Sequence, residues 1–539
     1  MSRPRQVVSA LGTAARNDDI RRVELAWGAA IAAEWAHFVA LGVFAYKAGG
    51  TSAVGVAGLV RLLPAAIVAT FAASFADRFR RERFLLAVAL VGSAALAGSA
   101  AAAAAGTTVL VFAFAALMGV ASTLVRPALQ ALLPSLARTP DELIAANGAT
   151  STVESVGTLA GPLAAGVLVS FADVALVFAV GAALLVAGAL LLTRVTVEGR
   201  VERSVTARGE TVYDMLAVGL RAVSEPRPRL VTGLVAAQAF VRGCLNVLIV
   251  VAVFRVLHAS AGAVGYMTAA LGVGGLVGAF GAMTLGGRRL AADFGLALVF
   301  WGMPIALIAP RPYLAAAIFL LAIVGAANSV EDVAVFTLLQ RMVPDDVLAR
   351  VLGLVWGLAM GAVALGSIAA PAIVGALGPR LAFAVVGAIL PLLTLVTYRR
   401  LLEIDRAVAP AAELELIDDV PMFAPLSIAA KERVAASLVP VSVAAGERVI
   451  RAGDPGDSFY IVGDGALEID ANGAHSAARR GDYFGEIALL RDIPRTATVT
   501  AVVDSQLYAL QRDDFLAAVT GHSAARAAGQ AVAEERLAR

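Results

Sequence analysis

Charge is what this 539-residue chain has least of: Asp, Glu, Lys and Arg make up 16% of it, where soluble domains carry about 25%. With 59% hydrophobic residues and a mean hydropathy of +0.82, the deficit excludes an ordinary soluble enzyme. Cysteine is nearly absent. Cys244 stands alone in an apolar run, which excludes an intrachain disulfide and any cysteine-based metal site. Histidine is scarce as well, and His37, His258, His475 and His522 fall at no spacing that binds zinc. No metal and no catalytic constellation is therefore expected. Lysine is limited to Lys47 and Lys431, and the excess of arginine and alanine points to a GC-rich bacterial genome. Residues 1–19 are polar and contain arginine, without the short apolar core of a signal peptide, so none is expected.

The formal net charge of +2 conceals a division. Residues 1–400 carry 30 basic and 20 acidic side chains, whereas residues 401–539 carry 13 and 21. An apolar, basic protein has been joined to an acidic one of soluble composition.

The first part holds twelve runs long enough to cross a bilayer, which takes about 20 mostly apolar residues. They lie near 24–46, 52–75, 84–105, 107–133, 143–170, 172–193, 229–254, 261–285, 291–309, 312–339, 347–376 and 379–398. Arginines cluster in alternate loops: before the first run, at 78–83, at 194–208, at Arg288 and Arg289, and at Arg399 and Arg400. The other loops are nearly bare. By the positive-inside rule both termini are cytoplasmic. A long loop at 194–228 divides the array into six and six, and the halves repeat. Gln130 and Pro134 recur as Gln340 and Pro344, and Gly148, Gly157, Pro162 and Gly166 recur as Gly357, Gly366, Pro371 and Gly375. Duplicated halves of this kind describe a transporter that rocks around a midplane site.

Over residues 20–400 the chain resembles the major facilitator superfamily. The loop Ala73-Ser74-Phe75-Ala76-Asp77-Arg78-Phe79-Arg80-Arg81-Glu82-Arg83 is similar to the family's signature loop, matching at Asp77, Arg78 and Arg81. Ala73 and Arg80 stand where the family has glycines, and Glu82 where a basic residue is usual. The resemblance implies a cytoplasmic charge latch, with contacts that break when the halves rock. Gly148, Gly157, Gly161-Pro162 and Gly166 resemble the antiporter motif of the family's exporters. Generic small-residue packing uses the same close approach of helices. Arg126-Pro127 through Asn147, and Arg61-Leu62-Leu63-Pro64, resemble the macrolide- and siderophore-exporter branch, which includes lysophospholipid transporters.

Ionisable side chains inside spans are costly and mark function. Glu34, His37, Arg61, Arg126, Glu154, Arg242, Glu331 and Asp332 are the candidates for transport and coupling. Glu34 stands first for proton coupling and Glu331 second, a buried carboxylate being able to exchange its proton for substrate. Structural pairing of each acid with an arginine is the competing account. Gln238, Asn246 and Asn328 are expected to bond between helices.

From Ala409 onward, short apolar runs alternate with glycine turns. The runs are Val439–Val443, Arg448–Arg451, Ser458–Val462, Ala466–Ile469, Thr498–Val502 and Gln506–Leu510. They predict a small β-roll or jelly roll flanked by helices at 427–437 and 512–536. Phe484-Gly485-Glu486-Ile487-Ala488-Leu489-Leu490 and Pro494-Arg495-Thr496-Ala497-Thr498-Val499 resemble the phosphate-binding cassette of cyclic-nucleotide-binding domains. A short helix after Gly485 would aim the N–H groups of Ile487 and Ala488 at a phosphate, and Arg495 would bond the same group. The resemblance further implies that Glu486 accepts the ribose 2′-OH and that Thr496 touches the purine. It implies a regulatory ligand, cAMP in preference to cGMP. The acidic tail, without a helix-turn-helix, excludes nucleic acid as partner.

The fold expected is thus an all-α polytopic membrane protein of twelve spans in the major facilitator arrangement, plus a C-terminal β-roll domain. Its parts are an N-terminal segment (1–22), two six-helix halves (23–193 and 229–400), the central loop (194–228), a linker (401–419) and the nucleotide domain with a lid helix (420–539). The function expected is secondary transport, by an exporter of a small amphipathic or lipid-like compound, under cyclic-nucleotide control in a bacterial inner membrane. A non-transporting receptor and a lysophospholipid transporter or flippase are the alternatives.

Overall fold

The computed structural model describes residues 17–69, 81–136, 140–195, 219–282, 290–310, 313–343, 345–406, 411–426, 428–471, 473–520 and 523–538. They form two compact units, one of Met1–Phe336 with Ala349–Arg399, the other of Thr337–Leu348 with Arg400–Arg539.

The first unit is helical. Its elements are α1 (Asp18–Ala69), α2 (Arg81–Ala104), α3 (Thr108–Leu136), α4 (Pro140–Phe171), α5 (Val174–Leu192), α6 (Pro226–Val251, ending in a π-turn at Ala252–Val256), α7 (Ala263–Ala282), α8 (Leu290–Ile308), α9 (Leu314–Met342) and α10 (Asp345–Arg406). The last turn of α9 and both ends of α10 belong to the second unit. Among the described residues ten helices are long and apolar enough to cross a membrane, against twelve runs in the sequence. The difference lies in α1 and α10, of 52 and 62 residues. A straight helix of 52 residues would measure about 78 Å, more than twice the apolar layer of about 30 Å. Both helices leave helical geometry at glycine: α1 at Gly49-Gly50, where Gly50 takes φ 65°, and α10 at Gly378, where φ is 78°. These breaks fall between the sequence runs.

The sequence repeat reappears as packing. Gly157 rests on Ile31 and Gly366 on Phe240, so one offset of 209 relates both the glycines and their partners. Across the halves, Gly55 meets Pro371 and Gly265 meets Pro162, two contacts that exchange under nearly the same offset. Such reciprocity is what a pseudo-two-fold axis produces. Each glycine lacks a Cβ because the opposing chain occupies its place. The halves also meet where Gly166 faces Gly262 and Gly265. Nearby, Tyr46 stacks on Phe254 with centroids 4.4 Å apart. These contacts close one end of the bundle.

The second unit carries α11 (Ala411–Asp418), α12 (Ile428–Ala436), strands β1 (Val439–Val443), β2 (Arg448–Ile450), β3 (Ser458–Asp464), β4 (Ala466–Ala471), β5 (Ala474–Arg479) and β6 (Tyr483–Phe484), the short α13 (Glu486–Arg491), β7 (Thr498–Ala501), β8 (Ser505–Gln511), α14 (Arg512–Thr520) and α15 (Ser523–Ala538). The strands make two antiparallel four-stranded sheets, ordered β1-β8-β3-β6 and β2-β7-β4-β5. Val462, Leu467, Val499 and Leu507 fill the space between them. Phe423, Phe459 and Phe515 join the helices to β3, with Phe459 and Phe515 stacked at 4.9 Å. The β-roll expectation therefore holds. Two strands, β5 and β6, and the helix α11 were not among the predicted elements.

Candidate functional site

Two places gather ionisable side chains. The first is a cavity of about 1380 Å³ within the helical unit, lined from both halves. Arg126 on α3 and Glu154 on α4 line one side and pair at 3.3 Å. Arg242 on α6 and Asp332 on α9 line the other. Asn328 orders that wall: its amide donates to Asp332 Oδ2 at 2.9 Å, and its oxygen accepts from Trp301 Nε1 at 3.2 Å and Gln238 Nε2 at 3.5 Å. Gly274 on α7 and Gly325 on α9 let the two backbones touch.

The remaining transport candidates lie elsewhere. Glu34 and Arg61 pair at 2.9 Å, with Arg61 over the Phe38 ring. Arg61 faces a smaller cavity with Asn246 and Thr268. Glu34 faces an apolar one with Trp27, Met118 and Leu185. His37 does not share a site with Glu34; it is buried against Phe178, and its ring nitrogens have no hydrogen-bond partner among the described residues. Glu331 is buried behind the cavity wall, and Asp332 beside it reaches the wall. In the glycine motif, Gly157 and Gly161 pack on Ile31, Ala32 and Trp35, Pro162 meets Gly265, and Gly148 faces open space. Asp77 and Arg78 lie outside the described residues, and Arg81 opens α2. Sequence reading missed Glu24, which accepts from Thr150 Oγ1 on α4. A lone acid near a helix start gave no signal.

The second place is the loop and helix around Gly485. Gly485 holds φ 93°, and a Cβ there would stand 2.6 Å from Arg495 Nη1. Glycine is thus required twice, by backbone and by space. Glu486, Ile487 and Ala488 form the first turn of α13, whose N–H groups have no helical acceptor. Arg495 is buried and donates to the carbonyls of Gly485 at 3.1 Å and Ser458 at 2.8 Å, and to Asp457 Oδ1 at 3.0 Å. Its backbone is pinned in both directions, Arg495 N to Asp454 O and Gly453 N to Arg495 O. Thr496 follows in the same loop, half-buried.

Glu486 is 1% exposed. Its Oε1 accepts from Arg536 Nη1 at 2.9 Å, and its Oε2 is buried with no partner among the described residues. Burial pushes this carboxyl above the usual carboxylate range, against the opposing pull of Arg536 and Arg495. Arg536, near the end of α15, also donates to Tyr483 O and lies 4.4 Å over the Tyr483 ring. Sequence reading did not find Arg536 or Asp457. The arrangement can take an anion at Arg495 and a hydroxyl donor at Glu486.

Comparison with known proteins supplies families for both units. Residues 25–356 match the family model described as Major Facilitator Superfamily. Residues 440–522 match that described as Cyclic nucleotide-binding domain. A crystal structure of the nucleoside transporter NupG superposes with a TM-score of 0.61 at 11% identity, covering 71% of this chain and 99% of that one. At that identity the likeness is one of fold. The tail is similar to cAMP-dependent protein kinase regulatory subunits, 36% identical over 124 residues in Aspergillus niger and 37% over 124 in Emericella nidulans. Those alignments cover 22% of this chain and 30% of each relative, so the chain spans under a third of the length of these two curated relatives.

Proposed function

The chain belongs to the Major Facilitator Superfamily, and from that premise we propose a secondary transporter whose turnover is set by cAMP at its C-terminal domain. Neither matching family is one of enzymes. The regulatory reading is carried by one observation: Arg495 is held by three acceptors in the cassette, while Glu486 Oε2 is buried without a hydrogen-bond partner among the described residues. A cyclic phosphate would meet Arg495 and the N–H groups of Ile487 and Ala488, and the ribose 2′-OH would fill the acceptor at Glu486. Thr496 would lie against the base. Ligand identity rests on the similarity to cAMP-dependent kinase regulatory subunits.

In the transporter, twelve crossings follow if the glycine breaks in α1 and α10 are hairpins, giving halves at 23–193 and 229–400 around the loop 194–228. The linker is 401–419 and the nucleotide domain 420–539. Arginine placement sets both termini in the cytoplasm. The closed end at Tyr46 and Phe254 then faces outward, and the 1380 Å³ cavity belongs to an inward-facing state. Arg126, Glu154, Arg242 and Asp332 offer two positive and two negative groups in a wall of mixed apolar and neutral polar side chains. That balance suits an amphipathic substrate of no large net charge, exported in the manner of the macrolide- and siderophore-exporter branch. Glu331 and Glu34 remain the carboxylates proposed for proton coupling, and Asp77, Arg78 and Arg81 the proposed latch.

The test is flux of labelled amphiphiles in proteoliposomes, with and without cAMP. A cAMP-dependent change that disappears in Arg495→Ala supports the reading. Equal flux in both conditions removes the regulation, and no flux for any amphiphile favours a receptor that does not transport.

A further inference from the structure

Within the second unit, Arg341 Nε lies 3.3 Å from Glu432 Oε1, with the side chains only 10% and 11% exposed. Arg341 is in the last turn of α9, and Glu432 is on α12, the helix that precedes the β-roll. Burial raises the Glu432 carboxyl and Arg341 opposes the rise. A buried pair of this kind is sensitive to the loss of either partner, because the survivor stays desolvated.

We propose that this ion pair is the joint through which nucleotide occupancy acts on the transport cavity, an inference that rests on the regulatory reading above. The helix α9 runs from the cavity to the joint. Val324, Gly325, Asn328, Ser329 and Asp332 line the cavity, and Arg341 follows Asp332 by nine residues, about 13 Å along the axis. No proline or glycine interrupts residues 332–342, so a turn or shift at Arg341 is carried to Asp332 with little loss.

From the joint to the cassette the contacts are equally continuous. Ala430, Val434 and Ala435 of α12 share one apolar core with Phe515 and Val519 of α14 and Ala525 of α15. Helix α15 packs on α14 through Gly529, which abuts Val519, and its far end ties Arg536 to Glu486. In this proposal helix α15 shifts when the nucleotide binds. Movement of α15 reaches α12 through this core, and Glu432 passes it to Arg341.

The experiment uses the full chain in lipid nanodiscs, with Cys244→Ala and an environment-sensitive fluorophore at Val324→Cys, and cAMP as the probe. Calorimetry of cAMP on the same preparations reports binding separately. The fluorophore is expected to shift when cAMP is added. In Arg341→Gln and in Glu432→Gln the shift falls at least fivefold while cAMP still binds within about tenfold of its original affinity. Arg341→Glu combined with Glu432→Arg restores it. An undiminished shift in both single variants overturns the joint. If either single variant loses cAMP binding altogether, the charge-exchanged pair decides: a shift restored with binding supports the joint, and binding without a shift overturns it. No cAMP binding by the starting protein defeats the regulatory reading itself, whereas binding without any fluorophore response defeats the joint alone.

Discussion

Arg495 is oriented before any ligand arrives, because two backbone carbonyls and Asp457 hold its guanidinium. Preorganisation of this kind lowers the ordering cost of binding. A hydrogen bond to a charged group contributes about 1.5–3 kcal/mol, so Arg495→Ala should weaken cAMP by about 10- to 100-fold in calorimetry. Arg495→Lys should recover only part, since an ammonium cannot reproduce the fork. Gly485→Ala should weaken binding comparably, by forcing a Cβ against Arg495 at positive φ. The pH dependence follows from Glu486. Its carboxyl is raised by burial, and only the ionised form accepts at both oxygens. Lowering the pH through the raised value protonates it, so cAMP affinity should fall there, at higher pH than an exposed carboxylate would dictate. Glu486→Gln should bind more weakly and flatten that profile; a profile unchanged in Glu486→Gln would contradict the assignment. Gly485, Glu486 and Arg495 were legible in the sequence because the cassette is local, whereas Asp457, 38 residues before Arg495, was not. Arg536 was not, since 50 residues separate it from Glu486.

The helix α15 owes its place to small residues: Ala525 and Ala533 are buried, and Gly529 admits Val519 and Leu490. Arg536 then fastens its end to the cassette. Arg536→Gln should speed cAMP dissociation by several-fold in stopped-flow measurements with little change in association, because in the proposed reading α15 retains the bound ligand through this contact. Among the membrane helices, α4 lies against α1 through Gly157 and Gly161, where an added Cβ at Gly161 would stand 2.5 Å from Ala32 O. Gly161→Val should lower the melting temperature of the purified protein by several degrees, whereas Gly148→Val, facing open space, should not. Most elements were legible from apolar periodicity. The strand β5, Ala-His-Ser-Ala-Ala-Arg, was not: it pairs at a sheet edge with five of six residues exposed, and neither its composition nor its pattern marks a strand. Glycine breaks between spans were legible as gaps in hydropathy, though helical geometry runs up to each glycine.

At the scale of the whole molecule, the basic first 400 residues and the acidic remainder carry different chemistry in one chain. The six-plus-six division was read from the loop 194–228 and the 209-residue repeat from glycine and proline positions, and the paired contacts Gly55–Pro371 and Gly265–Pro162 are the physical expression of that repeat. The reach of α9 from the cavity to Arg341 had no sequence signature, because a helix end paired with a residue 91 positions later leaves no periodicity. The cavity likewise gathers side chains from α3, α4, α6 and α9 that no local motif joins. A cavity of balanced charge predicts that Asp332→Asn and Arg242→Gln each reduce flux while leaving cAMP binding intact. The most direct measurement is flux of labelled amphiphiles, a lysophospholipid among them, in proteoliposomes with and without cAMP, for the starting protein and Arg495→Ala. The account predicts a cAMP-dependent rate in the former and none in the latter; the same rate with and without cAMP, in a protein shown to bind it, would contradict it.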